Sequence, residues 1–249
     1  MTPPGPGRGR LAAVTEQRIG VESPYCCTVT ELNSPLTSPL TPAQAWQRLR
    51  EGNDRFVSGT SRHPNQDAPR RSSLVNEQNP FAVIFGCSDS RLAAEIIFDL
   101  GLGDVFVVRT AGQVTDDAVL GSLEYSVGVL GVPLIVILGH DSCGAVTAAK
   151  HTVDTGSMPA GYVRNLVERI TPSVLAARRN GLEDVNDMVV EHTRQTAERL
   201  VESSRLISDA VASGSTAVVG LSYRLAEGRA DLVSSIGTLE TETTGLAAG

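Results

Sequence analysis

Two continuous apolar runs dominate the hydrophobic pattern: Phe-Ala-Val-Ile-Phe-Gly at 81–86 and Leu-Ile-Val-Ile-Leu-Gly at 134–139. Neither alternates with polar residues, which is the signature of parallel strands covered on both faces. Around them the pattern switches between helical and extended spacing. It predicts a helix from Thr41-Pro42 to about residue 57, a loop with one helical turn over 59–79, and a helix at 92–100. A strand at 105–108, a helix at 116–130 and a helix opening near 143 follow. Residues 166–170 begin a further helical region, and 185–212 carry amphipathic spacing through Met188, Val189, Leu200, Val201, Leu206 and Ile207. A last apolar strand at 216–223 precedes an edge strand near 229–236. The expected fold class is therefore α/β: a single domain with a mainly parallel central sheet, about four parallel strands plus an antiparallel edge strand, and helices on both faces.

The N-terminus of the first helix is legible residue by residue. Thr41 suits the N-cap, Pro42 the first helical position, and Gln44 the reciprocal half of a capping box. Trp46, Leu49 and Phe56 then fall on one stripe, suited to core or subunit packing. Residues 1–40 are rich in Pro, Gly, Ser and Thr and are expected to be a disordered extension, with vicinal Cys26 and Cys27 as incidental thiols inside it. The catalytic domain is expected over 41–239, with 240–249 as a flexible tail.

In parallel sheets, ligands sit beyond the carboxyl ends of the strands. At that end the first run enters Cys87-Ser-Asp89-Ser-Arg91, and the second enters His140-Asp-Ser-Cys143. Two thiols and an imidazole form a soft-donor set suited to Zn2+, and three protein ligands leave a fourth position open, as catalytic zinc sites do. Asp89 and Arg91, two residues apart, are placed to pair, so that Arg91 lowers the carboxylate's pKa and holds it off the metal. Were the pair to break, Asp89 could become a fourth ligand in an inactive state. His63, His151 and His192 read as surface residues.

Net charge is −7 and the pI about 5.1, so nothing marks a partner surface for nucleic acid or anionic membrane. No apolar stretch approaches the roughly 20 residues needed to cross a bilayer, and no hydrophobic core follows the N-terminal arginines, so the expected location is cytoplasmic.

Cys-x-Asp-x-Arg followed by His-x-x-Cys, each after an apolar strand, resembles the β-class carbonic anhydrases over roughly residues 42–236. The resemblance implies a lyase that reversibly hydrates carbon dioxide to bicarbonate and a proton by attack of zinc-bound hydroxide. It assigns Cys87, His140 and Cys143 as zinc ligands and Asp89 and Arg91 as the catalytic dyad. It also assigns Gln78 as donor to bicarbonate, and Phe106 and Tyr125, with neighbouring Ala111 and Gly112, as an apolar carbon dioxide pocket that partner subunits help to build. A homodimer or dimer of dimers is implied. One departure stands out: some bacterial members carry a tryptophan of a noncatalytic bicarbonate site where this chain has Ile84, although Arg109 matches that site's arginine.

Other readings share these residues. The same metal set can serve a hydrolase of carbon disulfide or carbonyl sulfide, a noncatalytic zinc or thiol sensor could use the same donors, and Cys87 could be a covalent nucleophile with Arg91 as anion clamp. Charge counting bears on the first reading. Zinc with two thiolates and a neutral imidazole is formally neutral, so it acidifies water less than an all-histidine site, where the pKa falls from about 15.7 to about 7. That fall corresponds to about 12 kcal/mol, part of which the thiolates forfeit. Carbon dioxide hydration measured by stopped flow is therefore expected to rise from neutral into alkaline pH, and a profile flat from acid to neutral would contradict the donor assignment.

Overall fold

The computed structural model describes residues 40–239. The expectations for the N-terminal extension, for Cys26 and Cys27, and for the tail from 240 onward lie outside the described residues. Five strands form one sheet in the order β2-β1-β3-β4-β5. They are β1 (Ala82–Cys87), β2 (Val105–Thr110), β3 (Leu134–His140), β4 (Ala217–Arg224) and β5 (Arg229–Ile236). The first four run parallel and β5 pairs antiparallel with β4, as the hydrophobic pattern requires.

Strand periodicity divides the apolar runs between two cores. Ile84, Val136, Leu138, Val219 and Leu221 join Leu49, Ile97, Val146 and Ile170 on one side. Val83, Phe85, Ile135, Ile137 and Val218 join Val119, Leu123, Leu200 and Ile207 on the other. β1 and β3 are buried along their whole length, whereas β2 at the sheet edge is mostly half-buried.

Eight helices surround the sheet among the described residues: α1 (Pro42–Val57), α2 (Ala68–Ser73), α3 (Ala94–Ile97), α4 (Asp117–Gly128), α5 (Gly144–Thr155), α6 (Val163–Arg179), α7 (Val185–Ser203) and α8 (Arg205–Ala212). α1 begins as its sequence dictates: Thr41 Oγ1 accepts from the Gln44 amide at 3.2 Å, and Gln44 Oε1 accepts from the Thr41 amide at 2.9 Å. Leu49 is fully buried, while Trp46 and Phe56 pack at the core margin.

Three elements differ from the sequence pattern, each for a local reason. The helix expected over 92–100 shortens to α3, because Asp99 turns left-handed at φ 48°. Its carboxylate there accepts from Arg55 and from the amides of Arg62 and His63. The helical pattern of 185–212 breaks at Ser204, which leaves helical geometry, receives the Ile207 amide on its hydroxyl and donates that hydroxyl to Glu124. The polar segment 59–79 contains the short α2 and is moored by two buried acids, Asp99 and Asp104, the latter accepting from Arg48, Asn65 and the Gly101 amide.

α1 crosses the end of α3 closely enough that a Cβ on Gly52 would lie 1.9 Å from the Phe98 carbonyl oxygen. Gly52→Ala must therefore push the two elements apart. It is expected to lower the free energy of unfolding by about 2 kcal/mol or more in denaturant titration, despite alanine's better helix propensity.

Candidate metal centre

Cys87 ends β1 and His140 ends β3, and these strands are neighbours in the sheet. The chain then turns through Asp141 and Ser142, the latter in the left-handed region at φ 54°, to Cys143, the N-cap of α5. That turn is fixed from outside: Asp141 N–H donates to the Tyr223 carbonyl at 3.0 Å, and Ser142 N–H to Asn186 Oδ1 at 2.9 Å. The result places the donor atoms of Cys87, His140 and Cys143 within 4.8 Å of one another, all buried.

The imidazole shows what this cluster is built for. His140 Nδ1 lies 2.8 Å from the Asp141 carbonyl oxygen, which can only accept, so Nδ1 carries the proton and Nε2 presents a lone pair. Nε2 is buried and has no hydrogen-bond partner among the described residues. A bare lone pair facing two sulfurs is costly without a cation and well suited to one. The thiols are already polarised: Cys87 is held down to about 4, chiefly by the Cys143 thiol beside it, against burial and with help from the His140 ring and the Gly112 amide. Cys143 is pushed up by the Cys87 sulfur it faces and by burial. These three residues fit a soft divalent metal such as zinc.

Asp89 and Arg91 sit in the loop after β1 and form a fork. Arg91 Nε donates to Asp89 Oδ1 at 2.9 Å and Nη2 to Oδ2 at 2.7 Å, while the Arg91 amide adds a third bond to Oδ1 at 2.9 Å. The guanidinium holds the Asp89 carboxyl well below the usual carboxylate range. Arg109 braces the same loop, with Nε on the Cys87 carbonyl at 3.0 Å and Nη2 on the Asp89 carbonyl at 2.5 Å. Sequence pattern offers no sign of that bracing role, because it depends on the register that sets Arg109 opposite Gly86 across β1 and β2.

The remaining site residues separate into two groups. Ala111 and Gly112 follow β2 directly, and Gly112 N–H donates to Cys87 Sγ at 3.2 Å. Gln78, Phe106 and Tyr125 lie elsewhere within this chain. Phe106 pairs in register with Val83, four residues before Cys87, which is roughly 13 Å along a strand. Its ring is 6.2 Å from that of Tyr125, which is itself 44% exposed. Tyr125 and Gln78 line a cleft of about 650 Å³ with Leu74, Leu102 and Leu130, and none of the three donors lines it.

His63 and His151 are exposed, as expected, but His192 is not: only 2% of its surface is accessible. Its spacing of four from Met188 and three from Val189 on α7 put it on the buried stripe, a signal its polarity masks.

The chain is similar to known proteins. The family described as carbonic anhydrase matches residues 82–230. Carbonic anhydrase 2 of Mycobacterium tuberculosis is 56% identical over 201 residues, 81% of this chain and 97% of that protein. A carbonic anhydrase of Mycolicibacterium smegmatis is 54% identical over 198 residues, 80% of this chain and 96% of that protein. Among solved structures, a tetrameric β-carbonic anhydrase of Sordaria macrospora aligns with a TM-score of 0.61 at 20% identity, covering 77% of this chain and 98% of that one. The Coccomyxa β-carbonic anhydrase aligns at 0.58 and 24%, covering 77% and 86%; at such identities the likeness concerns the fold.

Proposed function

The chain belongs to the β-class carbonic anhydrases and catalyses the reversible hydration of carbon dioxide, and on that premise we propose that zinc is its metal, held by Cys87, His140 and Cys143. The observation that carries this is the buried, unpartnered His140 Nε2 facing two sulfurs. Zinc bound there supplies Lewis acidity that brings water's pKa down toward the physiological range.

The chain's own residues do the rest. Asp89 Oδ1 already accepts two hydrogen bonds, but Oδ2 accepts only one, so one lone pair on Oδ2 remains for a proton of the nucleophilic water. Arg91 keeps Asp89 ionised, and therefore acceptor-only, and holds its carboxylate off the metal. Without that fork, Asp89 is the residue poised to fill the fourth coordination position and silence the site.

Carbon dioxide is small, linear and apolar, and Ala111 and Gly112 offer a small-residue wall beside Cys87. Gln78, Phe106 and Tyr125 complete the pocket from a second copy of the chain, because within one chain Phe106 sits roughly 13 Å along the sheet from Cys87 and the cleft of Gln78 and Tyr125 holds none of the donors. The half-exposed edge strand β2, with Val105, Phe106, Val107 and Val108 in succession, supports such pairing, since an unpaired apolar edge invites a partner. A homodimer or dimer of dimers follows, with the catalytic unit over 41–239. A cytoplasmic location is in keeping with the acidic composition; no described helix is long and apolar enough to cross a membrane. The sulfur-substrate and sensor readings fall behind, since relatives at 54–56% identity are carbonic anhydrases and a three-donor centre leaves a position open.

The Gln78 amide, in this reading, donates to oxygen as negative charge develops on carbon dioxide. Gln78→Ala is expected to lower kcat/KM by about 10²-fold in stopped-flow hydration while zinc content per chain stays unchanged. Undiminished turnover would remove Gln78 from the site, and lost zinc would make it structural.

A further inference from the structure

Beside Cys87, the turn Ala111–Gln113 is gripped by α7. Gly112 has φ 67° and Gln113 φ 41°, two consecutive residues in the left-handed region. Gly112 cannot carry a side chain, because a Cβ would lie 2.7 Å from Ala145 Cβ and 2.8 Å from Ile170 Cδ1. From this conformation the two peptide planes flanking Gly112 point in different directions. Its N–H donates to Cys87 Sγ at 3.2 Å, and its carbonyl receives His192 Nε2–H at 2.9 Å. The Gln113 side-chain amide donates in turn to Thr193 Oγ1 at 2.9 Å. Adjacent residues of α7 thus hold adjacent residues of the turn.

His192 is itself fixed. Ser173 Oγ lies 3.0 Å from Nδ1 and also 3.0 Å from Gln195 Oε1. Complete burial pushes the imidazole's pKa down to about 4, so it is neutral, with one donor and one acceptor nitrogen. Nε2–H then serves the Gly112 carbonyl, and the single Ser173 hydroxyl proton is shared between two acceptors, Nδ1 and Gln195 Oε1. Gln113, unlike Gly112, has a side chain that disfavours the left-handed region, so the turn's orientation depends on such anchors.

We propose that His192 is a positioning residue of the metal centre: with Thr193 beside it, it holds the Gly112 turn so that the Gly112 amide stays on Cys87 Sγ. That bond draws electron density from the thiolate, and so sets how much negative charge Cys87 donates to the metal. The inference rests on Cys87 being a metal ligand, as proposed above.

The test uses cobalt(II)-substituted full-length protein, comparing wild type with His192→Phe, which lacks a donor, and His192→Gln, whose amide can reach the Gly112 carbonyl. Loss of the N–H···S bond raises the sulfur lone pair in energy. The thiolate-to-cobalt charge-transfer band of His192→Phe should therefore shift to the red; and because the released turn no longer holds Cys87 Sγ in place, metal loss to a chelator should quicken about fivefold, the equivalent of one ordinary hydrogen bond. His192→Gln should keep the wild-type band and rate. An unmoved band and rate in fully loaded His192→Phe, or equal changes in both variants, would overturn the inference alone. Should the phenylalanine chain not fold, Thr193→Val decides, with a smaller red shift in support and an unmoved band against. A wild type that takes up no cobalt with thiolate charge transfer would overturn the metal centre and this inference together.

Discussion

The site depends on one buried lone pair. His140 Nε2 faces Cys87 and Cys143 with no partner among the described residues, because the Asp141 carbonyl claims the proton on Nδ1. A buried acceptor left bare costs about 1–3 kcal/mol, and two sulfurs crowded against it add repulsion once ionised. The surrounding structure holds that arrangement in place. Neighbouring strands end at the same level, Tyr223 and Asn186 pin the turn between His140 and Cys143, and Arg109 ties down the carbonyls after Cys87. A cation bound by all three donors would convert the cost into binding free energy, which is how metal affinity and folding become linked.

Around that centre, polar groups are disposed asymmetrically. On the open side the Asp89–Arg91 fork leaves one carboxylate lone pair free and 19% of the Asp89 side chain exposed, enough for a small substrate and water to reach it. Next to Cys87 the Gly112 turn is held through His192 and Thr193 by hydrogen bonds made within the protein. The fork can therefore exchange protons with water while the turn holds geometry. The sheet enforces the division, since its two cores leave chemistry only at the strand ends.

Much of this was legible in the chain. The two apolar runs fixed β1 and β3, and Cys87, His140 and Cys143 could be read as a set because Cys87 and His140 close those strands and Cys143 follows within one turn. The capping box of Thr41 and Gln44 appeared where local residue chemistry put it. What stayed hidden depends on contacts distant in sequence. His192 reads as a surface histidine until Ser173 and the Gly112 carbonyl, 19 and 80 residues away, are known to satisfy it. Asp99 ends α3 early through bonds to residues 36–44 positions distant, which no local window contains. Gln78, Phe106 and Tyr125 are a further case: their motif positions are clear, yet a single chain keeps them away from its own donors.

The most direct test of the central claim is isotope exchange: loss of ¹⁸O from labelled bicarbonate at chemical equilibrium, followed by mass spectrometry on the protein as purified, stripped by chelator, and reloaded with measured zinc. Exchange should vanish on stripping and return in proportion to zinc, saturating at one ion per chain. Exchange that persists in the stripped protein, or stoichiometric zinc uptake that restores none of it, would contradict a hydration centre built on Cys87, His140 and Cys143.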